Sequence, residues 1–429
     1  MASLAAMNAA HNCARVHVVG AGIAGLASAV RLTRQGRPVT LYEAAARAGG
    51  RCRSFHDSQL DRRIDNGNHI LLSANREALS YLEEIGARQT LVGPSHAAFP
   101  FVDLANGARW TLKPNSGWLP WWIASAARRV PDTTLGDYLA GLRLARARPE
   151  DRVVDLIEPG TALFERFWRP LTVAALNTAP EEASAALLWL VVRETFFKGE
   201  AACRPLIARD GLGESFVEPA LTLLRDAGAE IRFNHRLRAL EQTDGRAAAL
   251  SFGDDLLALD ADEQVVLAVP PVVAGDLLPD LTVPDDSRPI VNAHIILPQP
   301  DLLPPDLPFL GLVGGSTDWI FVRGDVASLT VSAASELAED SNEEVARKLW
   351  HDTARALRLD PALAPPIRVI KEKRATLAQT PQALLRRPPP RTNLDNLFLA
   401  GDWTDTGYPA TIESAVRSGR AAAALIGSA

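Results

Sequence analysis

Residues 15–51 read RVHVVGAGIAGLASAVRLTRQGRPVTLYEAAARAGGR, and this stretch decides the fold. Arg15 to Val19 make an apolar run of strand length. Gly20-Ala21-Gly22-Ile23-Ala24-Gly25 then fits G-x-G-x-x-G and runs straight into a helical pattern whose apolar face is Leu26, Ala29, Val30 and Leu32. A second strand, Pro38 to Tyr42, ends at Glu43, 18 residues after Gly25. Each part has a physical task. Gly20 permits a tight turn, Gly22 lets a pyrophosphate approach the backbone, and Gly25 lets the helix sit close on the strand. The helix start, with Ile23 and Ala24 in its first turn, offers unpaired N–H groups and the positive end of a dipole to the phosphates. Glu43 stands near the separation expected of a carboxylate that holds a ribose diol. Strand, helix, strand and acid in register read as a dinucleotide-binding unit.

The continuation narrows the nucleotide. Gly49-Gly50-Arg51 follows Glu43, and Ser54 follows that. The run resembles the extended fingerprint of the flavin-containing amine oxidase and phytoene desaturase superfamily. The resemblance implies FAD as cofactor, with the backbone of Gly49 and Gly50 and the Arg51 guanidinium beside its phosphates. A planar, permanently charged side chain suits that task. It also implies an α/β fold: a Rossmann-like, glutathione-reductase-like FAD-binding domain with an inserted α+β substrate domain.

Composition agrees with a folded chain of two units. At 429 residues it is too long for one small core. Apolar content of 47% and charged content of 22% are ordinary, and a net charge of −6 lends nothing to nucleic-acid binding. Cys13, Cys52 and Cys203 show neither a metal spacing nor a disulfide framework, which fits a reducing cytosol. The Ala-rich residues 1–14 read as a loose tail rather than a signal peptide, and no apolar run is long enough to span a membrane.

The second informative stretch is DNGNHILLSAN, residues 65–75. Apolar residues flank a compact polar cluster. In the superfamily an Asp-x-Gly segment at this place passes beside the flavin, so Gly67 and Asn68 are implied cofactor neighbours. The wording here resembles one branch, the hydroxysqualene dehydroxylases, as does WRPLTVAALNT, residues 168–178. Chemistry alone says that Asp65, Asn68 and His69 place acceptors, donors and a titrating imidazole in one cluster. It leaves His69 equally open as a catalytic group or a satisfied core histidine.

The remaining chain divides accordingly. The FAD-binding unit is expected over 15–75, 204–275 and 392–429, and the substrate unit over 76–203 and 276–391. Glu77 to Ile85 has helical spacing and is read as leaving the first unit. Phe99 to Asp103 and Arg109 to Leu112 read as a hairpin opening a second sheet, resumed by Val291–Leu297, Phe309–Val313, Trp319–Val322 and Ser328–Ser332. Residues 117–129, GWLPWWIASAARR, suggest a membrane-contact helix, with Trp118, Trp121 and Trp122 suited to the interface and Arg128 and Arg129 to anionic lipid. The alternative is core. Pro170 is expected to kink or end a helix. Arg386-Arg387-Pro388-Pro389-Pro390 reads as a stiff connector. At the C-terminus, a strand ending in Gly401-Asp402 precedes a helix opened by Tyr408-Pro409-Ala410-Thr411-Ile412. In the superfamily such a segment holds the ribityl–phosphate region and flavin O2, which implicates Gly401, Asp402, Tyr408, Thr411 and Ile412. The resemblance likewise puts a backbone group near Leu237 against the adenine.

The branch resemblance implies reductive removal of the hydroxyl of hydroxysqualene to give squalene, within squalene and hopanoid biosynthesis. His69 or Asp65 is then the candidate proton donor. A hydrocarbon of this size scarcely visits water, so a cytoplasmic enzyme peripheral to the inner membrane is expected. No second nucleotide fingerprint is visible, and electrons are left to NADPH or a reductase partner. A phytoene-desaturase-like or amine-oxidase-like oxidase, and a non-catalytic carrier of squalene intermediates, are the alternatives.

Overall fold

A computed structural model describes residues 14–427; the tail expected over 1–14 lies, but for its last residue, outside them. Five parallel strands form the first sheet, in the order Glu230–Arg232, Val39–Tyr42, Val16–Val19, Gln264–Leu267, Leu397–Leu399. The central strands are buried on both faces, which is why they read as unbroken apolar runs. Val16, Val18 and Val266 face a helical layer, while Val19, Val265 and Leu267 face a core shared with a three-stranded antiparallel sheet, Ala239–Thr243, Arg246–Ser251 and Leu256–Ala258. In the helical layer the fingerprint helix, Ile23–Arg34, crosses the C-terminal helix, Ile412–Gly427. The crossing is close: a Cβ on Gly419 would overlap the Ala24 carbonyl oxygen.

A seven-stranded sheet builds the second unit, in the order Ile367–Leu377, Ser287–Ile296, Val326–Val331, Trp319–Arg323, Phe309–Val313, Phe99–Asp103, Arg109–Leu112. The strand period of two sorts its side chains. Val291, Ala293, Ile295, Ala327, Leu329 and Val331 bury one face against Leu349 and Trp350 of the helix Asn342–Leu357. The opposite face carries Asn292, His294, Ser328 and Thr330, and these too are buried.

Several expectations change. The helix Arg76–Glu84, assigned above to the substrate unit, packs Ala78, Tyr81 and Leu82 into the first core. Its start is capped by Glu413 of the C-terminal helix, which accepts from the amides of Glu77 (3.3 Å) and Ala78 (2.9 Å). An anion at a helix N-terminus explains the attachment. No helix forms over 117–129. Left-handed Gly117, followed by Pro120, leaves only a 3-10 turn, Trp121–Ala124; Trp122 is buried, while Trp121 and the preceding Trp118 are exposed. Pro170 does not end its helix. A π-turn at Phe164–Trp168 precedes it and absorbs its missing donor, so Arg169–Leu176 continues as α-helix. The 11-residue strand Ile367–Leu377 has no counterpart in the reading above. Its charged residues disguise it, and they suit its place at the sheet edge.

Candidate active site

The fingerprint turn is built from glycines that have no substitute. Gly20 is left-handed (φ +108°), and a Cβ there would overlap the Ala268 carbonyl oxygen. A Cβ on Gly25 would overlap the Gly20 carbonyl oxygen. Gly22 is different, because a Cβ there would meet nothing within 4 Å. Open space therefore lies over Gly22, at the start of a helix whose first turn no side chain caps. Gly49 docks on this turn: its N–H donates to the Ala21 carbonyl (2.8 Å), and it bridges Gly22. Gly50, also left-handed, faces the Gly22 Cα. Glu43 closes the cradle by accepting from Ala21 N and Ala45 N, both at 2.8 Å. The segment leading to Leu237 runs alongside, with His235 N donating to the Glu43 carbonyl, while the Leu237 side chain is buried in the core beneath. An open, donor-rich, glycine-lined groove at a helix start fits the diphosphate of FAD.

Arg51 joins the two ends of the chain. Its guanidinium donates to Asp402 (2.7 Å) and to the Ala375 carbonyl. Its pKa is raised, first by the Asp402 charge. Although bridged between two elements, the side chain keeps 45% of its surface accessible, as a group lining a cavity does. Asp402 and Gly401 are fixed from behind by Ser418, whose hydroxyl accepts from Gly401 N (2.9 Å), and by Arg387. Arg387 is the residue the connector reading missed. It is buried, and its one guanidinium donates to the carbonyls of Asp402 (3.0 Å), Thr404 (2.6 and 2.9 Å) and Tyr408 (2.7 Å). Burial lowers its pKa, against the pull of Asp402 and Asp405. Thr411 is exposed and Ile412 buried at the start of the C-terminal helix. The Tyr408 ring is committed elsewhere, 3.9 Å beneath the Arg417 guanidinium.

The 65–69 turn rests on the polar face of the second sheet. Asn292 donates to the Asn66 carbonyl (3.3 Å), Thr330 donates to Asn292 (2.9 Å), and Asn68 donates to Thr330 (3.0 Å). A Cβ on Gly67 would press on the Asn292 amide at 3.4 Å. Asp65 is held hardest: it accepts from the Ser54 hydroxyl (2.5 Å), Leu212 N (3.0 Å) and Arg323 (2.7 Å). Both oxygens of Asp65 are thus engaged by donors. His69 has no such ties: among the described residues no hydrogen bond reaches its ring. It faces a cavity of about 340 Å³ with Asp65, Asn68, Leu212, Phe321 and Arg323. Burial, seconded by the Arg51 charge and opposed by Asp65, lowers its pKa to about 4. Alternating polar residues in an apolar strand, as at Asn292 and His294, were the available signal for this platform. Nothing in the sequence paired them with the 65–69 turn.

His294 makes the platform sensitive to acid. It is fully buried, with its Nδ1 2.8 Å from the Ser328 hydroxyl, and burial lowers its pKa from 6.5 to about 4. Between these values the unfolded chain takes up a proton that the folded one refuses. Stability is thus complete above pH 6.5 and declines as pH falls towards 4. From pH 7 to pH 5 the loss from this residue alone is about 2 kcal/mol. Urea midpoints at the two pH values should differ less for His294→Gln than for the unaltered protein. Equal differences would show that His294 is not the source of this acid sensitivity.

The chain matches the model of the flavin containing amine oxidoreductase family over residues 23–427. It is 47% identical over 413 residues to a hydroxysqualene dehydroxylase of Rhodopseudomonas palustris, covering 96% of this chain and 98% of that one. A hydroxysqualene dehydroxylase of Zymomonas mobilis is 44% identical over 411 residues, with 95% and 98% covered. Among solved structures, an oxidoreductase from Methanosarcina mazei superposes with a TM-score of 0.71 at 14% identity, covering 95% of this chain and 99% of that one, which speaks for the fold alone. By the family match and the near full-length identity, the chain belongs to the flavin containing amine oxidoreductases and, within them, to the group of the hydroxysqualene dehydroxylases.

Proposed function

We propose that the protein converts hydroxysqualene to squalene, with loss of the hydroxyl as water. What carries this reading is identity of 44–47% over nearly the whole chain to proteins named for that reaction. The enzyme is an FAD-dependent oxidoreductase. Reduced FAD supplies the hydride when bound, and the protein must supply a proton to the departing hydroxyl and a water-poor chamber for the hydrocarbon.

The geometry supports roles for three side chains. Asp65 and Asn68 hold the 65–69 turn in place, and His69, untied and facing the cavity, protonates the hydroxyl. With a pKa of about 4, its acid form is scarce at neutral pH but strong. Turnover should therefore rise as pH falls from 7 towards 5, by roughly tenfold per unit. His69→Gln, with FAD retained, should lower turnover roughly 10²-fold and flatten that profile. Unchanged turnover at every pH would remove His69 from the reaction. The reaction itself is tested anaerobically. Reduced enzyme mixed with hydroxysqualene should reoxidise its flavin and yield squalene in equal amount. A flavin that stays reduced would overturn the assignment.

The substrate is drawn from the cytoplasmic face of the inner membrane, to which the enzyme is peripheral, and electrons arrive from NADPH or a reductase partner. No described helix is long and apolar enough to cross a membrane.

A further inference from the structure

Ten large apolar side chains stand exposed among the described residues, and six of them fall between residues 118 and 142: Trp118, Leu119, Trp121, Leu135, Leu139 and Leu142. The two tryptophans are 69% and 68% exposed. They come from two segments that are locked together. The Trp122 ring points inward and meets Tyr138 edge-on at 5.4 Å, and the Tyr138 hydroxyl accepts from Val130 N (3.0 Å). Asn115 fixes the turn from below, accepting from Trp122 N and donating to the Leu119 carbonyl, both at 2.9 Å. Trp118 and Trp121 are thus held outward by a turn that Asn115 pins and the Trp122 ring anchors. The short helix Leu135–Leu139 and the 3-10 stretch Ala140–Arg146 set the three leucines beside them.

The charge of this face is opposite to that of the chain. Over residues 118–147 it has Arg128, Arg129, Arg143 and Arg146 against Asp132 and Asp137, whereas the whole protein carries −6. Both acids are already used: Asp132 pairs with Arg166 (2.8 Å), and Asp137 accepts from Thr134 N (2.6 Å). No ion pair among the described residues takes any of the four arginines. Exposed Trp and Leu within a set of unpaired guanidiniums match an apolar layer beneath an anionic surface. A second copy of this chain would bring arginines against arginines in an isologous contact.

We propose that this face docks on a bilayer containing anionic lipid. The docking deepens, and for its purpose rests on, the reaction proposed above. The cluster beneath the face is aromatic, with Trp122, Phe167 and Phe196 packed together and sharing their core with Phe101 and Trp319. Trp319 leads to Phe309 (6.1 Å), and Phe309 to Phe321 (6.5 Å), which lines the cavity with His69. Buried ring contacts thus run from beneath the face to the wall of the cavity.

The test is co-sedimentation of the FAD-loaded protein with vesicles of phosphatidylcholine alone or with about one third phosphatidylglycerol. The unaltered protein should partition to the anionic vesicles at least about tenfold more, and lose that preference at high salt. W118S/W121S should lower binding to both vesicles at least about tenfold. Arg→Gln at 128, 129, 143 and 146 together should abolish only the anionic preference. Equal binding to both vesicles by the unaltered protein, or undiminished binding by W118S/W121S, would overturn the proposal and leave the face to a protein partner. Turnover of detergent-solubilised hydroxysqualene by the same preparations should not change. Its absence in the unaltered protein would count against the reaction and not against the docking.

Discussion

Arg387→Met is expected to purify colourless and to unfold early. One buried guanidinium holds three carbonyls of the turn between Leu397–Leu399 and the C-terminal helix. Methionine fills much of the volume but donates nothing. Each buried carbonyl left without a partner costs about 1–3 kcal/mol, so a total of about 3–5 kcal/mol is reasonable. For a protein of 429 residues that lowers the thermal midpoint by about 3–6 °C. Asp402 moves with the turn, and Arg51 loses the carboxylate that positions it. Flavin loss should follow even where the fold survives. Lysine at 387 should recover little, because an ammonium lacks the fork that reaches three carbonyls at once. The checks are flavin absorbance per protein after desalting and the thermal midpoint. Full flavin content with an unshifted midpoint would remove Arg387 from this role.

Two glycines three residues apart, Gly22 and Gly25, should fail in different ways. At Gly25 an added side chain overlaps the Gly20 carbonyl and crowds the Ala268 Cβ at 3.2 Å. Gly25→Val must push the fingerprint helix off its strand, at a cost of about 4 kcal/mol or more. Little folded protein is expected, with or without FAD. At Gly22 the backbone is extended and the space beside it open. Gly22→Ala should fold with the midpoint of the unaltered apoprotein, yet bind FAD at least about tenfold more weakly, since its methyl occupies the diphosphate groove. Titration of apoprotein with FAD, followed by flavin fluorescence, separates the two. Normal affinity in Gly22→Ala would mean that the diphosphate lies elsewhere.

How much was legible follows from how local each cause is. The strand–turn–helix at 16–34 and the Gly49–Arg51 turn depend on backbone rules within a few residues, so glycine spacing and apolar periodicity declared them. The second sheet was legible strand by strand wherever one face was apolar, as at Phe309–Val313. The edge strand Ile367–Leu377 escaped because its charges answer to solvent and not to a core. The helix Arg76–Glu84 was found, but its partner was not. Only the folded chain brings Glu413 to its first turn, 335 residues away along the chain.

The amino-acid sequence by itself determined the dinucleotide-binding unit, because it rests on a short motif whose geometry is set by steric and dipolar rules; FAD, the inserted second unit and the family followed from the resemblance that the motifs carry. It also marked His69, Asn68 and Asp65 as a polar cluster. Tertiary structure alone divided their labour. Ser54, Leu212 and Arg323 converge on Asp65 from three elements, whereas the His69 ring faces the cavity with no hydrogen bond from the described residues. Burial, and the meeting of distant donors with one acceptor, are properties of the folded chain, and no local pattern encodes them.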